Sequence, residues 1–133
     1  MRVLVFIMVA VATWSCQSQE KQKQENMDPK AFSQAIAEDK NAVVVDVRTD
    51  REVAGGMIKG AVHMDINSPD FRDRAAKLQK DKTYYVYCLS GGRSASAASY
   101  FKEIGIENVV NLDGGIRGWQ NSGLPLVKPQ DTK

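Results

Sequence analysis

Apolar residues from about position 28 onward fall into short continuous runs separated by stretches with helical spacing. The runs rich in β-branched and aromatic residues predict buried strands at Val43–Val47, Ala61–Met64, Thr83–Tyr87 and Val109–Val110. Apolar positions at helical spacing predict helices at Pro29–Glu38, Asp50–Val53, Pro69–Lys80, Ser94–Ile104 and Ile116–Gln120. Strands that alternate with helices predict an α/β fold, with a parallel sheet and helices on both faces. A chain of 133 residues suits a single domain of this kind.

The N-terminal segment follows a different pattern. Val3–Ala12 is uninterruptedly apolar and follows Arg2, but it is too short to span a bilayer, which takes roughly 20 residues. This pattern predicts a signal peptide at residues 1–15. A small residue directly before Cys16 is typical of a bacterial lipoprotein cleavage site, so we expect Cys16 to be lipidated. Ordinary cleavage nearby, or an uncleaved anchor, are the alternatives.

The segment after Cys16 contains no apolar residue from Gln17 to Asn26. Such a sequence cannot bury surface, so residues 16–27 are predicted to form a disordered tether, with a short solvated helix as the alternative. The domain is then predicted at residues 28–127 and a C-terminal tail at residues 128–133. Together these features predict an exported, periplasmic protein that is anchored to the membrane through its N-terminus.

Charge and rare residues exclude several classes of function. The net charge is +2, and loss of residues 1–15 would remove only Arg2 and reduce it to +1. No basic patch with interleaved aromatic residues is present, so we expect no nucleic-acid binding. If Cys16 carries lipid, Cys88 is the only thiol and no disulfide can form. A single histidine, His63, favours a structural role for that residue, and we expect neither a metal nor a cofactor.

The most informative segment lies between the strand ending at Tyr87 and the helix that follows. It begins with a cysteine and contains two glycines and an arginine: Cys88, Leu89, Ser90, Gly91, Gly92, Arg93. Glycines let successive backbone N–H groups converge on one point, and the next helix directs its positive N-terminus there. This setting stabilises a thiolate, which is the nucleophilic form of cysteine. The alternative is a buried structural cysteine.

Other residues are predicted to meet this loop, because ligands of parallel sheets bind at the carboxyl ends of the strands. We predict Cys88 as the catalytic residue and the residues from Leu89 to Ser94 as the substrate-binding loop. Three residues that follow neighbouring strands are predicted to form the pocket wall, namely Arg48, Gly114 and Gly115. Glu52 is predicted to pair with Arg48.

Four segments, in the right order, resemble the rhodanese family of sulfurtransferases. They are the Cys88 loop, Asp46-Val47-Arg48, the segment from Glu52 to His63, and Leu112-Asp113-Gly114-Gly115 followed by Trp119. The resemblance implies the rhodanese fold in a single domain. It also implies that Cys88 attacks an anionic donor such as thiosulfate, that Arg93 holds the oxygens of the donor, and that a persulfide passes its sulfur to cyanide or a thiol, including a protein thiol. Asp46 and Arg48 then serve mainly to orient loops.

Two alternatives remain open at this point. Cysteine phosphatases of a related fold use a Cys-x5-Arg loop, whereas this loop is Cys-x4-Arg and therefore forms a smaller cradle. Some rhodanese-like domains are persulfide carriers or interaction modules without significant turnover, and the sequence does not separate a carrier from a catalyst. We expect a monomer.

Overall fold

The computed structural model describes residues 25–132. Its strands are β1 (Glu25–Met27), β2 (Ala42–Asp46), β3 (Val62–His63), β4 (Thr83–Tyr87) and β5 (Asn108–Leu112). Its helices are α1 (Pro29–Glu38), α2 (Asp50–Ala54), α3 (Phe71–Ala76), α4 (Gly92–Glu103) and α5 (Gly115–Asn121), with a 3-10 turn at Pro129–Asp131.

The strands form one parallel sheet in the order β1-β5-β4-β2-β3. The central strand β4 pairs with β2 along its whole length, with Val45 opposite Val86, and with β5 on its other side. Strand β4 is therefore shielded on both edges and on both faces, as its continuous apolar sequence predicts. The predicted α/β fold with a single parallel sheet is confirmed.

Helices cover both faces of this sheet. On one face α3 and α4 contribute Phe71 and Phe101, which stack with ring centroids 6.1 Å apart and pack with Val86 in one buried cluster. On the other face α1 and α5 contribute Phe32 and Trp119, whose rings meet edge to face at 6.3 Å. Successive residues of a strand point to opposite faces, so β4 supplies side chains to both clusters.

The helix ends follow local chemistry that the sequence shows. Asp28 caps α1, since its Oδ1 accepts hydrogen bonds from the backbone N–H groups of Lys30 and Ala31 at 3.0 and 3.1 Å. Helix α4 ends before Gly105, which adopts a φ of +96° as the sequence pattern predicts. Thr49 and Glu52 form a capping box at the start of α2.

Several element boundaries differ from prediction, and those of β1, α3 and β3 are the most informative. Strand β1 begins at Glu25, within the segment predicted to be a tether, because an edge strand is held by backbone hydrogen bonds and needs no apolar side chains. Helix α3 covers Phe71–Ala76 rather than Pro69–Lys80. The hydroxyl of Ser68 bonds the carboxylate of Asp70 instead of capping this helix, and Asp70 makes no side-chain cap itself. Strand β3 is shortened to Val62–His63.

The predicted signal peptide, Cys16 and most of the predicted tether lie outside the described residues. Between residues 25 and 132, the helices include none with the length and apolar character needed to cross a bilayer. At the other end of the domain, Val127 pairs with Met57 through two backbone hydrogen bonds of 2.9 Å. This pairing ties the segment after α5 to the segment after α2.

Candidate active site

Cys88 follows the last residue of β4, at the carboxyl edge of the sheet, and only 1% of its surface is exposed. The loop after it turns sharply at Gly91, which has a φ of +110° and precedes α4. That backbone conformation favours glycine, because a side chain would meet the neighbouring peptide. The loop therefore brings its own backbone and the first turn of α4 close to the Cys88 sulfur.

Two hydrogen bonds reach the Cys88 sulfur from this loop. The backbone N–H of Gly91 donates to Sγ at 3.1 Å, and the hydroxyl of Ser94 lies 3.3 Å from it. Burial raises the pKa of the Cys88 thiol, but hydrogen bonds from the Ser94 side chain and from loop amides, Gly91 among them, outweigh burial and bring the pKa below its ordinary value. The site therefore favours the thiolate.

The members of the predicted substrate-binding loop do not share one environment. Ser90 and Gly92 are exposed, Leu89 is half-buried, and Ser94 is fully buried. The Ser94 hydroxyl also lies 3.2 Å from the carbonyl oxygen of Gly91. Since its contacts are with the sulfur and the loop backbone, the structure places Ser94 as a support for the thiolate.

Arg93 extends from the first turn of α4 to Glu52 on α2. Its Nη1 and Nη2 donate to the two carboxylate oxygens of Glu52 at 2.8 and 2.7 Å, which makes a bidentate ion pair. Hydrogen bonding from Arg93 lowers the pKa of Glu52 to about 2, against a weaker opposing effect of burial. The prediction that Glu52 pairs with Arg48 is wrong for the carboxylate, which turns toward the Cys88 loop. Only the backbone carbonyl oxygen of Glu52 accepts a hydrogen bond from Arg48, at 3.4 Å.

Arg48 was predicted to form part of the pocket wall, but it lies inside the fold. It is 4% exposed, and its guanidinium donates to both carboxylate oxygens of Asp46, with Nη2 2.6 Å from Oδ2. Nη2 also donates to the carbonyl oxygen of Gly56 at 2.7 Å. A buried carboxylate requires a partner, and Asp46, which is fully buried, retains Arg48 inside the fold. This agrees with the predicted role of both residues in orienting loops.

His63 has the structural role that the sequence predicts. Its Nε2 lies 2.7 Å from the carbonyl oxygen of Arg48, and its Nδ1 lies 3.5 Å from a carboxylate oxygen of Asp50. The first contact ties β3 to the segment that leads from β2 into α2. In the described part of the chain, no three side chains of His, Cys, Asp or Glu converge in the way that a metal site requires.

Gly115 is buried against the backbone of the Cys88 loop, whereas Gly114 is exposed. A Cβ on Gly115 would lie 2.6 Å from the backbone atoms of Leu89 and Ser90. The N–H of Ile116 donates to the carbonyl oxygen of Cys88 at 2.9 Å. The turn after β5 therefore presses against the loop and fixes its backbone.

Asn111 is a supporting residue that the sequence analysis missed. It is 5% exposed on β5, and its Nδ2 donates to Oδ1 of Asn26 at 3.0 Å and to the carbonyl oxygen of Gly91 at 3.4 Å. Its Oδ1 is buried and has no hydrogen-bond partner among the described residues. An amide between Val110 and Leu112, in a strand predicted to be buried, is the signal that could have identified it.

Known proteins share this domain. The chain is 36% identical over 104 residues to a sulfurtransferase of Allochromatium vinosum, which covers 78% of this chain and 95% of that protein. It is 42% identical over 95 residues to a thiosulfate sulfurtransferase of Pseudomonas fluorescens, covering 71% and 84% of the two chains. A rhodanese-related protein of Thermoplasma volcanium has the same fold, with a TM-score of 0.69, 31% identity, and coverage of 77% and 97%. Residues 28–122 match the family model of the rhodanese-like domain, and the chain belongs to that family.

Proposed function

We propose that this protein transfers sulfane sulfur through a persulfide on Cys88. The observation that carries the proposal is the pair of hydrogen bonds to Sγ, from the Gly91 N–H at 3.1 Å and from the Ser94 hydroxyl at 3.3 Å. Both donors stabilise negative charge on sulfur, and a thiolate is the form of cysteine that attacks another sulfur. The sulfurtransferase relatives support the same class of reaction.

The reaction has two displacement steps. The Cys88 thiolate attacks the outer sulfur of a donor such as thiosulfate, a sulfur–sulfur bond forms to Cys88, and sulfite leaves with the electron pair of the broken bond. An acceptor such as cyanide or a thiolate then takes the outer sulfur, and Cys88 returns to the thiolate. Neither step requires a general base once Cys88 is a thiolate, the form that the two hydrogen bonds to Sγ favour.

A direct test is to incubate the purified full-length chain with thiosulfate and measure the Cys88 peptide by mass spectrometry. We expect a gain of one sulfur atom at Cys88 and continuous formation of thiocyanate when cyanide is added. A Cys88→Ser chain should do neither, because a serine hydroxyl is not ionised at neutral pH and cannot hold the labile sulfur. If wild type gains no sulfur, or hydrolyses an aryl phosphate faster than it transfers sulfur, the proposal is wrong.

The same experiment separates a catalyst from a carrier. A turnover enzyme forms many molecules of thiocyanate for each Cys88, whereas a carrier releases one sulfur and stops. We propose that the protein is a turnover enzyme, because the loop retains its cysteine, its amide donors and Arg93 together.

We also propose that the protein is exported and held at a bacterial membrane by lipid on Cys16. The support is the sequence pattern alone: the apolar run Val3–Ala12, the small residue before Cys16 and the polar segment Gln17–Gln24 between Cys16 and β1. A lipid on Cys16 would place the domain beside the membrane, within reach of small donors and of protein thiols outside the cytoplasm.

A further inference from the structure

We propose that Glu52 sets the charge preference of this active site: by neutralising Arg93, it favours sulfane-sulfur donors with a single negative charge over donors with two. The inference deepens the proposed sulfur transfer and rests on it. It names the preferred donor class as an organic persulfide or a thiosulfonate, with thiosulfate as a poorer donor.

The first observation is the geometry of the ion pair. Nη1 and Nη2 of Arg93 each donate to a different carboxylate oxygen of Glu52, at 2.8 and 2.7 Å. Two of the five N–H donors of the guanidinium are thus engaged by one carboxylate. Arg93 is the positive group on the catalytic loop itself, so an incoming anion meets a cation whose charge is already balanced.

The second observation is that Glu52 is itself held in place. Its Oε2 accepts hydrogen bonds from the backbone N–H and the hydroxyl of Thr49, at 3.0 and 2.9 Å. This capping box anchors the carboxylate at the start of α2. Because the pKa of Glu52 is about 2, the carboxylate keeps its negative charge at neutral pH.

The third observation is the balance of charge around the sulfur. Once Cys88 is a thiolate, it and Glu52 together carry two negative charges against the single positive charge of Arg93. Asp65 also lies close enough to Arg93 to stabilise its charged form. A dianion that enters this site gains little net attraction, whereas a donor with one charge fewer is repelled less.

Two donors isolate the effect of the donor's negative charge. Methanethiosulfonate and thiosulfate present the same terminal sulfur, but a methyl group replaces one anionic oxygen in the former. The Cys88 thiolate attacks that sulfur in both cases, and the leaving group is methanesulfinate from the first and sulfite from the second. The ratio of the two kcat/KM values therefore reports how the site responds to donor charge.

The informative variant is Glu52→Gln. Glutamine preserves the capping box, because Glu and Gln both serve at that position, but it removes the charge. We expect kcat/KM for thiosulfate to rise about tenfold, and that for methanethiosulfonate to rise about threefold, because the effect of one removed charge doubles for a dianion. Asp50→Asn is the matched control: it removes the same charge from a side chain that is 96% exposed and contacts His63 instead. This control should change either value less than about twofold.

A second measurement does not depend on sulfur transfer. Iodoacetate carries one negative charge and iodoacetamide carries none, and both alkylate the same thiolate. Their rate ratio at Cys88, followed by peptide mass spectrometry of the full chain, therefore cancels any change in the thiol pKa. We expect the ratio of iodoacetate to iodoacetamide to rise about threefold in Glu52→Gln and to stay unchanged in Asp50→Asn.

The outcomes test the proposed sulfur transfer and the effect of Glu52 on donor preference separately. If wild type transfers no sulfur from either donor, the proposed function fails, and the alkylation ratio still tests the effect of Glu52 on charge. If thiosulfate kcat/KM falls in Glu52→Gln, then Glu52 serves to position Arg93 for the anion, and the inference is overturned. Unchanged ratios in both experiments would overturn it as well.

Discussion

The hydroxyl of Ser94 lies 3.3 Å from the sulfur of Cys88, six residues earlier in the chain. The contact exists because α4 begins at Gly92, which places Ser94 in its first turn and directs its side chain back toward the end of β4. Ser94 is fully buried, so solvent does not compete for this hydroxyl. The thiolate is therefore supported by the fold, through a residue that does not need to touch the substrate.

Replacing Ser94 with alanine should raise the pKa of the Cys88 thiol by about one to two units, because a hydrogen bond to a charged group contributes about 1.5–3 kcal/mol. The rate of alkylation by iodoacetamide at neutral pH should fall, while the limiting rate at high pH stays the same. Ser96→Ala is the control, since Ser96 is exposed on the same helix and bonds the carbonyl oxygen of Gly92. An alkylation midpoint that does not move in Ser94→Ala would remove Ser94 from the site.

Gly115→Ala should destabilise the domain and disturb the catalytic loop. The added Cβ would lie 2.6 Å from the Leu89–Ser90 peptide, which real structures do not tolerate, and Gly115 also has a φ of +59°. Gly123→Ala is a close control, because Gly123 has a φ of +75° but no atom within 4 Å of its added Cβ.

We expect urea unfolding to show a loss of about 1–2 kcal/mol for Gly123→Ala from backbone strain alone. The loss for Gly115→Ala should be greater by about 1–3 kcal/mol from the steric clash. Thiosulfate turnover should fall only in the Gly115 variant. Equal losses of stability in the two variants would mean that the contact with the loop is not tight.

Arg48→Ala should lower the free energy of unfolding by about 3–5 kcal/mol, because it leaves the carboxylate of Asp46 buried without its partner. Arg51→Ala, an exposed position on α2, should stay within about 0.5 kcal/mol of wild type. At a temperature where both are folded, KM for thiosulfate should be the same in the two variants. A large rise in KM for Arg48→Ala alone would restore Arg48 to the pocket wall.

Cys16→Ala should release the protein from the membrane fraction, since stable anchoring requires the multiple acyl chains of a lipoprotein cysteine. Its sulfur transfer should be unchanged, because Cys16 precedes the domain and Cys88 carries the chemistry. Fractionation of cells that express each form provides the measurement. If wild type and Cys16→Ala partition identically, the proposed lipid anchor is wrong.

Local patterns predicted the catalytic loop, because the strand, the glycines and the helix that follow one another in sequence also lie together in space. Local patterns did not predict the partner of Arg93. Glu52 is four residues from Arg48 but 41 from Arg93, and spacing alone favoured the nearer arginine. Asp46 is buried and its carboxylate binds Arg48, so the Glu52 carboxylate pairs with Arg93 instead. The burial of Asp46 depends on the complete sheet.

Strand β1 was missed for a related reason. Glu25 and Asn26 have no apolar pattern, so composition placed them in the tether. Their strand conformation comes from pairing with β5, and the side chain of Asn26 accepts a hydrogen bond from Asn111. Interactions between residues 85 positions apart leave no local signal in the sequence.

Acid should lower the free energy of unfolding of the domain, because it protonates Glu52. Its pKa is about 2 in the folded protein, against an ordinary value of 4.5, so the unfolded chain takes up a proton first as the pH falls. The stability that the Arg93 pair contributes is therefore fully present above pH 4.5 and is lost between pH 4.5 and 2. Because both side chains are partly exposed, at 31% and 25%, we expect solvent screening to reduce this contribution to about 1 kcal/mol.

Urea unfolding of wild type and Glu52→Gln at pH 6, 4 and 3 measures this contribution. The difference between the two chains should be about 1 kcal/mol at pH 6 and should narrow at pH 3, and salt should reduce it at pH 6. Other carboxylates with a lowered pKa, such as Asp39, titrate equally in both chains and cancel in the difference. A difference that is constant with pH would show that the negative charge of Glu52 beside Arg93 contributes nothing to folding.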